Sequence, residues 1–320
     1  MTNNAAHTRF LKEMALELGF SYVGVAKAEF MEPEARRLED WLNKGHQGKM
    51  GYLENHFEKR VDPTKLVPGA QSVVSLVYNY FPSKKIAVPG APKIARYAYG
   101  KDYHFVVKDK LRELLERLRE RVGAVEGRCF VDSAPVLERD WARRAGVGWI
   151  GKNTMLIRPR AGSFFFLAEL IIDLPLEPDG PLKDFCGSCT RCIDACPTEA
   201  IAPEGYEMDG SKCISYLTIE LRDAIPNEFK DKMSNWMFGC DICQEVCPWN
   251  RFSSPNEEPA FSPHPELETM TRQDWEEITE ETFRKVFKKS AVKRTKFAGL
   301  QRNIRFLYSD KTNQQKEEKP

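Results

Sequence analysis

The first part of the chain, residues 1–178, carries the apolar spacing of helices and the short apolar runs of buried strands. Residues 8–19, 34–43 and 104–122 have apolar positions at helical spacing, and the charged face of 104–122 is typical of a solvated helix surface. Apolar runs predict strands at 22–26, 71–80, 128–133 and 163–174. This alternation predicts an α/β or α+β layer domain with a packed sheet.

A further helix is predicted at residues 135–145, between the last two strands. Ser133 is its expected N-cap, because a hydroxyl there can accept a hydrogen bond from a free backbone N–H, and Pro135 suits the first turn. Cys129, on the strand before it, is expected to be a buried core thiol.

Proline-rich stretches bracket the next segment and suggest where domains end. They predict a first domain at 1–178, a second at 179–252, and a linker with helical segments at 253–308. Residues 271–283 are acidic and helical in pattern, whereas residues 284–305 contain nine Lys or Arg and no acid. Such a basic block fits a solvated helix face or a phosphate-binding surface. The polar tail at 309–320 is predicted to be disordered.

Length and composition set limits on the kind of protein. A chain of 320 residues with 42% hydrophobic content can bury a core without disulfides, and its net charge is only +1. The N-terminus lacks the pattern of a secretory signal, and no apolar run reaches membrane-spanning length. We therefore expect a cytoplasmic protein without a membrane partner, in which clustered cysteines serve metal or redox chemistry.

Seven of the nine cysteines lie in two short runs, CGSCTRCIDACP at 186–197 and CDICQEVCP at 240–248. Two C-x2-C pairs could bind zinc, but the first run has the C-x2-C-x2-C-x3-C-P spacing of bacterial ferredoxins, whose fourth cysteine binds the other cluster. The second run has Met237 where the first cysteine would stand, so Cys213 is needed to complete its set. We assign one [4Fe-4S] cluster to Cys186, Cys189, Cys192 and Cys247. We assign the other to Cys240, Cys243, Cys213 and Cys196.

The residues alone do not identify what the clusters reduce. A ferredoxin needs far fewer residues, so the preceding domain is expected to hold the electron acceptor. It contains no G-x-G-x-x-G after a strand and no Walker loop, and DYHFVV at 102–107 lacks the glycine of a D-x-H-x-x-G cobalamin run. A corrinoid can nevertheless be held without a short signature. From residues alone, the chain is an iron–sulfur redox enzyme of unidentified acceptor.

Four blocks together resemble the epoxyqueuosine reductase family. They are RYAYGKDYH at 96–104, VDSAPVLERDWARRAGVGWIGKNTMLI at 131–157, the paired cysteine runs, and SAVKRTKFAGLQRN at 290–303. The resemblance implies an α+β fold: a cobalamin-binding domain like that of reductive dehalogenases and nitroreductases, then a ferredoxin-like domain and a short basic helical C-terminus. It implies cobalamin, two [4Fe-4S] clusters, and reduction of epoxyqueuosine at the wobble position of tRNA. Many members continue into a HEAT-like repeat that helps to hold tRNA, and this chain ends near the point where that repeat would begin.

The resemblance also implies roles for individual residues. Asp132 corresponds to the proton donor, a role for which burial is expected to raise its pKa. Tyr103 and His104 are candidate hydrogen-bond donors in the active site. The candidates for corrin contacts, besides Asp132, are Arg60, Arg96, Lys152, Asn153, Ser163 and Ser215. The candidates for tRNA phosphate contacts are Lys293, Arg294, Lys296 and Arg302. An external donor of the flavodoxin or ferredoxin type would supply electrons.

Two other functions remain open at this point. A corrinoid enzyme that dehalogenates a small molecule would use the same cofactors, although it would not need the basic block at 284–305. A two-cluster electron carrier would use the first domain only to dock a client enzyme. A test of cobalamin binding distinguishes these functions, because both enzymes would bind it and the electron carrier would not.

Overall fold

The structure, a computed structural model, describes residues 3–309, so most of the tail predicted to be disordered lies outside the described residues. Its helices are α1 Asn3–Glu17, α2 Glu32–Asn43, α3 Phe57–Val61, α4 Tyr103–Val122, α5 Glu138–Arg144, α6 Arg191–Asp194, α7 Ile214–Ile219, α8 Ile242–Glu245, α9 Arg272–Glu276, α10 Glu280–Val286 and α11 Lys296–Tyr308. Its strands are β1 Tyr22–Lys27, β2 Ser72–Asn79, β3 Lys93–Ile94, β4 Gly127–Phe130, β5 Trp149–Ile150, β6 Leu156–Ile157, β7 Phe165–Ile172 and β8 Trp236–Phe238. None of the described helices is long and apolar enough to cross a membrane.

A four-stranded sheet organises the first part of the chain. Its strand order is β1-β2-β7-β4, and every neighbouring pair is antiparallel. Strand β2 is buried along nearly its whole length, as its unbroken apolar run predicts. Helices therefore cover both faces of the sheet, and the predicted layered α+β architecture is observed.

The two faces of the sheet contribute to separate hydrophobic cores. One core contains Leu76 and Leu170 of the sheet together with buried residues of α1 and α4, such as Leu11 and Leu111. The opposite core contains residues of α2 and α5, including the fully buried Trp141. Because side chains alternate along a strand, each central strand supplies apolar residues to both cores.

Long-range pairing joins the first part of the chain to the last. The short strand β3 pairs in parallel with β8, although more than 140 residues separate them. The segment around β3 packs with residues from α7, β8 and α11 in two further cores. On α11, the fully buried Asn303 donates hydrogen bonds to the carbonyls of Thr218, in α7, and Met237, in β8. The C-terminal helix is thus part of the cysteine-bearing layer.

The predicted helix at 135–145 begins later than expected. The chain between β4 and α5 makes successive tight turns, in which the N–H of Ser133 donates to the carbonyl of Val131 and that of Ala134 to the carbonyl of Asp132. Leu137 is the N-cap, and the Ser133 hydroxyl donates to the carbonyl of Val131 instead of capping a helix. The expectation for Cys129 also needs correction, because its side chain is only partly buried at the edge of a core.

Candidate active site

A cleft with two connected lobes lies between the sheet and the cysteine-bearing layer. The inner lobe has a volume of about 420 Å³ and the outer lobe about 480 Å³. Both lobes are bordered by Arg139, Thr154, Met208, Cys213 and Ser215. Their walls are predominantly apolar with a few polar groups, as in sites for large organic ligands.

Asp132 projects into the inner lobe from the loop after β4. Its backbone is left-handed, with φ of 54°, so the tight turns of the loop aim its carboxylate at the first turn of α4. The Tyr103 hydroxyl donates a hydrogen bond to Asp132 Oδ2 at 2.7 Å, and His104 Nε2 lies 3.2 Å from the same oxygen. Asp102, the N-cap of α4, holds His104 Nδ1 at 2.7 Å. One imidazole therefore bridges two carboxylates.

The electrostatics of this group differ from the sequence expectation. Burial alone would raise the pKa of Asp132, but hydrogen bonds from His104 and Tyr103 lower it below its ordinary value. Burial opposes protonation of His104, yet its bonds to Asp102 and Asp132 raise its pKa to about 9. At neutral pH the proton of this couple therefore resides on His104, beside an ionised Asp132. The Asp132 side chain is 59% exposed because it faces the open lobe.

Aromatic stacking fixes the position of Tyr103. Its ring lies parallel to that of Phe166 in β7, with centroids 4.1 Å apart and an interplanar angle of 7°. The His104 ring also stacks on Tyr103, with centroids 4.3 Å apart. This packing limits the rotamers of both side chains and so keeps the Tyr103 hydroxyl directed at Asp132.

Two further acids lie directly behind Asp132. Glu138, the first residue of α5, borders the inner lobe and accepts a 2.5 Å hydrogen bond from the backbone N–H of Asp132. Glu169, in the middle of β7, is completely buried and is paired in register with Ser75 of β2. Burial, followed by the charge of Asp132, raises the pKa of Glu138 to about 8. Burial and Glu138 raise the pKa of Glu169 well above its ordinary value.

The eight predicted ligand cysteines form two groups of four. In one, burial raises the pKa of Cys243, followed by the charges of Cys240, Cys213 and Cys196 and by that of Cys192 from the other group. In the other, Cys186 and Cys189 act in the same way on Cys247. These groups correspond to the two ligand sets assigned from the sequence, and their role as ligands stays a prediction.

The two groups face different surroundings. The inner lobe is bordered by all four members of one group, which are Cys196, Cys213, Cys240 and Cys243. The other four, Cys186, Cys189, Cys192 and Cys247, border a small separate cavity beside Phe185 and Trp249. Trp149 Nε1 lies 3.5 Å from Cys186 Sγ, within range of a weak hydrogen bond to sulfur. One group thus adjoins the cleft and the other the protein surface.

The residues predicted to contact a corrin lie in several places. Asp132 and Ser215 border the cleft. Arg60 borders the outer lobe, but its guanidinium donates to the carbonyls of Tyr52 and Asn55.

The other four candidates do not border either lobe, and their contact with a corrin stays a prediction. Arg96 forms an ion pair with Glu245 at 2.7 Å. Ser163 is buried and accepts hydrogen bonds from Gln244 and Asn250. Lys152 and Asn153 border the small cavity that also contains Cys186. There, Lys152 donates a hydrogen bond to the carbonyl of Gly187, and Asn153 donates one to the carbonyl of Cys243.

Of the four residues predicted to contact tRNA phosphates, three have exposed side chains and one is bonded to backbone carbonyls. Lys293, Arg294 and Lys296 are exposed, and Arg294 forms a bidentate ion pair with Glu220 at the wall of the outer lobe. Arg302 instead donates to the carbonyls of Leu217, Leu221 and Asp223. These bonds occupy its guanidinium, and contact of Arg302 with phosphate stays a prediction.

Sequence reasoning missed several residues in the cleft and behind it. Glu138 and Glu169 are absent from the predicted set, although an acid inside the apolar run FFFLAELII at 164–172 was a visible signal. Met155, Thr154 and Arg139 also border the cleft, and nothing in their local pattern distinguishes them from ordinary loop and helix residues.

Known proteins resemble this chain along most of its length. Residues 60–133 match the family described as "Epoxyqueuosine reductase QueG, DUF1730", and residues 185–250 match a 4Fe-4S double cluster binding domain. An epoxyqueuosine reductase of Cyclobacterium marinum is 61% identical, with 97% of this chain and 99% of that protein covered. The Escherichia coli protein of the same name is 41% identical, with 92% and 78% covered.

Solved structures show the same similarity. A crystal structure of epoxyqueuosine reductase with a tRNA-Tyr epoxyqueuosine-modified stem loop superposes with a TM-score of 0.86 at 33% identity, covering 93% of this chain and 80% of that one. The enzyme from Streptococcus thermophilus superposes with a TM-score of 0.80 at 30% identity, with the same coverage. Fold and sequence together show that this chain belongs to the epoxyqueuosine reductase family.

Proposed function

We propose that this protein reduces epoxyqueuosine to queuosine in tRNA. The reaction removes the epoxide oxygen: epoxide, two electrons and two protons give an alkene and water. The observation that carries the proposal is a single lobe bordered by four cysteines of a double-cluster domain on one side and by Tyr103 and Asp132 on the other. Electron supply and proton supply therefore meet in one cavity. Because the substrate is tRNA, we place the protein in the cytoplasm.

The cofactors follow from the same arrangement. The two groups of cysteines would each hold one [4Fe-4S] cluster, which carries single electrons. A corrinoid fits the cleft by the size of its two lobes, by its apolar walls and by the hydroxyl of Ser215 at their junction. When bound, it supplies a strongly reducing metal centre that can accept electrons from the adjoining cluster. Asp132, Ser215 and Arg60 are the candidates of the predicted set that border this space.

Asp132 and His104 would deliver a proton to the departing oxygen. Breaking a C–O bond leaves negative charge on oxygen, which is unfavourable unless a proton is supplied. His104 is protonated at neutral pH and lies 3.2 Å from Asp132 Oδ2, so the couple holds one transferable proton next to the lobe. Tyr103 orients the carboxylate through its 2.7 Å hydrogen bond.

The function is tested with anaerobically reconstituted protein, cobalamin, a chemical reductant and tRNA that carries epoxyqueuosine. We expect a changed corrin spectrum on binding, followed by conversion of the modified base to queuosine, detected by mass spectrometry of digested tRNA. A corrin spectrum unchanged by the protein would indicate an electron carrier. Corrin binding without conversion of the tRNA would favour a small-molecule reductase.

The exposed cations near the outer lobe would contact tRNA phosphates. Lys293 and Lys296 are exposed, and within residues 3–309 no ion pair is recorded for either. We expect Lys293→Glu combined with Lys296→Glu to weaken tRNA binding about tenfold and to reduce its salt dependence, since fewer counterions are released. Filter binding at several salt concentrations measures both effects.

A matched control for that variant is charge reversal at a remote exposed cation, Lys27→Glu at the end of β1. This substitution also makes the net charge more negative, but Lys27 lies outside the basic block at 284–305. Equal weakening per charge by both variants would contradict a specific phosphate-binding surface.

Electrons would enter through the surface group of cysteines from an acidic carrier protein of the flavodoxin or ferredoxin type. Phe185 and Phe252, which are 47% and 39% exposed, form an aromatic face with Trp249 between them. Arg251 lies over the Phe252 ring at 4.5 Å, and Arg191 borders the same cavity as the thiols. Apolar contact surrounded by cations suits an acidic partner.

Replacing Phe185 by Ser should slow cluster reduction by flavodoxin about tenfold, the usual scale for losing an aromatic anchor at an interface. Reduction by dithionite, which needs no docking, should stay unchanged. Stopped-flow absorbance measures both rates. Phe30→Ser, at a comparably exposed aromatic residue beside α2, is the control and should change neither rate. Equal slowing with both reductants would indicate damage to the cluster.

A further inference from the structure

The reaction proposed above consumes two protons, and the Asp132–His104 couple accounts for only one. The first proton is needed when one C–O bond of the epoxide breaks. The second is needed when the remaining C–O bond breaks, because hydroxide is a poor leaving group compared with water. The source of the second proton is therefore a separate question, which rests on the proposed function.

Glu138 and Glu169 lie where they could supply the second proton. Glu169 lies on the face of the sheet that α5 covers, and Glu138 stands at the first position of α5. Among the described residues, both carboxylate oxygens of Glu169 and the hydroxyl of Ser75 are buried without a hydrogen-bond partner. Leaving such groups unsatisfied is costly, and two adjacent buried carboxylates would also repel each other.

A proton resolves this conflict. Two carboxyl groups can hydrogen-bond to each other only when at least one is protonated, as in paired-acid active sites. Helix α5 packs on β7, and Glu138 acts on the pKa of Glu169, so the two carboxyl groups are neighbours. The raised pKa of each acid agrees with this arrangement.

We propose that Glu138, held by Glu169, is a second proton donor of the active site. Glu138 borders the inner lobe, whereas Glu169 lies behind it and acts as a positioning residue. The Glu138 O–H bond breaks as the second C–O bond breaks, so that the proton leaves with the oxygen as water. Both electrons come from the external donor through the clusters. The Glu138 carboxylate is then stabilised by the proton on Glu169 until solvent protonates it again.

The charges around Glu138 determine how this donor responds to pH. Glu169 acts on it from β7, Asp132 from its loop, and Tyr103 and His104 from α4. Because the neutral acid is the active form, turnover should fall as pH rises through about 8. The imidazolium of His104 is lost around pH 9, and Glu138→Gln should remove only the loss that belongs to Glu138.

A purely structural role gives a different expectation. Glu138 accepts a hydrogen bond from the backbone N–H of Asp132 and could serve only to hold that loop. In Glu138→Gln, the amide oxygen keeps this acceptor but carries no transferable proton. We expect this variant to lose about tenfold or more in kcat, with KM for tRNA unchanged, and to lose the fall in activity near pH 8. Unchanged kcat would overturn the proposal.

Infrared spectroscopy tests the protonation state without any turnover. In the fully loaded protein, pH-difference spectra should contain the carbonyl band of a protonated carboxylic acid that titrates near pH 8. Glu138→Gln should remove this component. Glu169→Gln should keep it and remove the component that persists to higher pH. Glu120→Gln, on the solvent face of α4, should change neither band nor turnover.

A spectrum that Glu138→Gln leaves unchanged would overturn the proposal, because Glu138 would then be ionised already. Failure of the proposed function looks different. In that case the wild-type protein would not convert epoxyqueuosine tRNA at all, although the infrared bands could still be measured.

Discussion

Asp132→Asn is expected to lower turnover by about a hundredfold or more, the usual scale for losing a general acid. The amide can still accept the hydrogen bond from Tyr103, but it carries no negative charge. The pKa of His104, raised to about 9 by Asp102 and Asp132 against burial, should therefore fall towards its ordinary value. The couple then holds its proton less firmly at neutral pH, and residual activity should shift to lower pH. Single-turnover assays across a pH series measure both changes.

This variant should leave both clusters intact, because Asp132 belongs to neither cysteine group, and the corrin spectrum unchanged, because the amide has the same shape as the carboxylate. Tyr103→Phe is a graded comparison, since it removes one hydrogen bond to Asp132 but leaves the ion pair with His104. It should cost less than Asp132→Asn. Undiminished turnover in Asp132→Asn would remove this carboxylate from the mechanism.

Cys213→Ala is expected to abolish turnover with any reductant. Cys213 is the one member of its group outside the two cysteine runs, and it borders both lobes of the cleft. Without its thiolate the cluster beside the cleft loses a ligand, so iron should fall from about eight to about four per chain. The cluster beside Phe185 should survive, because none of its four cysteines is altered. Iron analysis and electron paramagnetic resonance after anaerobic reconstitution measure the loss.

Cys129→Ala is the matched control, since Cys129 is a thiol on strand β4 outside both groups. It should retain about eight irons and full turnover. Equal iron content in Cys213→Ala and wild-type protein would mean that Cys213 is not a ligand.

The elements with strong periodicity could be predicted from the sequence. The run at 71–80 is β2, and the helix expected at 104–122 is α4 with one more residue at its start. Those segments bury long apolar stretches, so local pattern and tertiary packing favour the same structure. The two-residue strand β3 has no comparable pattern, because its pairing with β8 depends on a partner more than 140 residues away.

The cysteine part of the candidate site could be predicted, because the spacing of the cysteines along the chain indicates it. The spacing of the cysteine runs implied crossed groups, the members of each group border the same cavity, and their role as ligands stays a prediction. The positions of Arg96 and Ser163 could not be inferred, because a polar residue that contacts a ligand and one that ties two layers together look alike in a sequence. Glu169 is buried by sheet register, which only the assembled sheet reveals.

The bonds from α11 to the cysteine-bearing layer have a consequence for biosynthesis. Asn303 is the donor for carbonyls in α7 and β8, the elements next to Cys213 and Cys240. Until that helix has left the ribosome, those carbonyls lack their partner and the layer lacks part of its core. Insertion of the cluster beside the cleft should therefore wait until α11 has been synthesised, whereas the sheet at the start of the chain can already have folded.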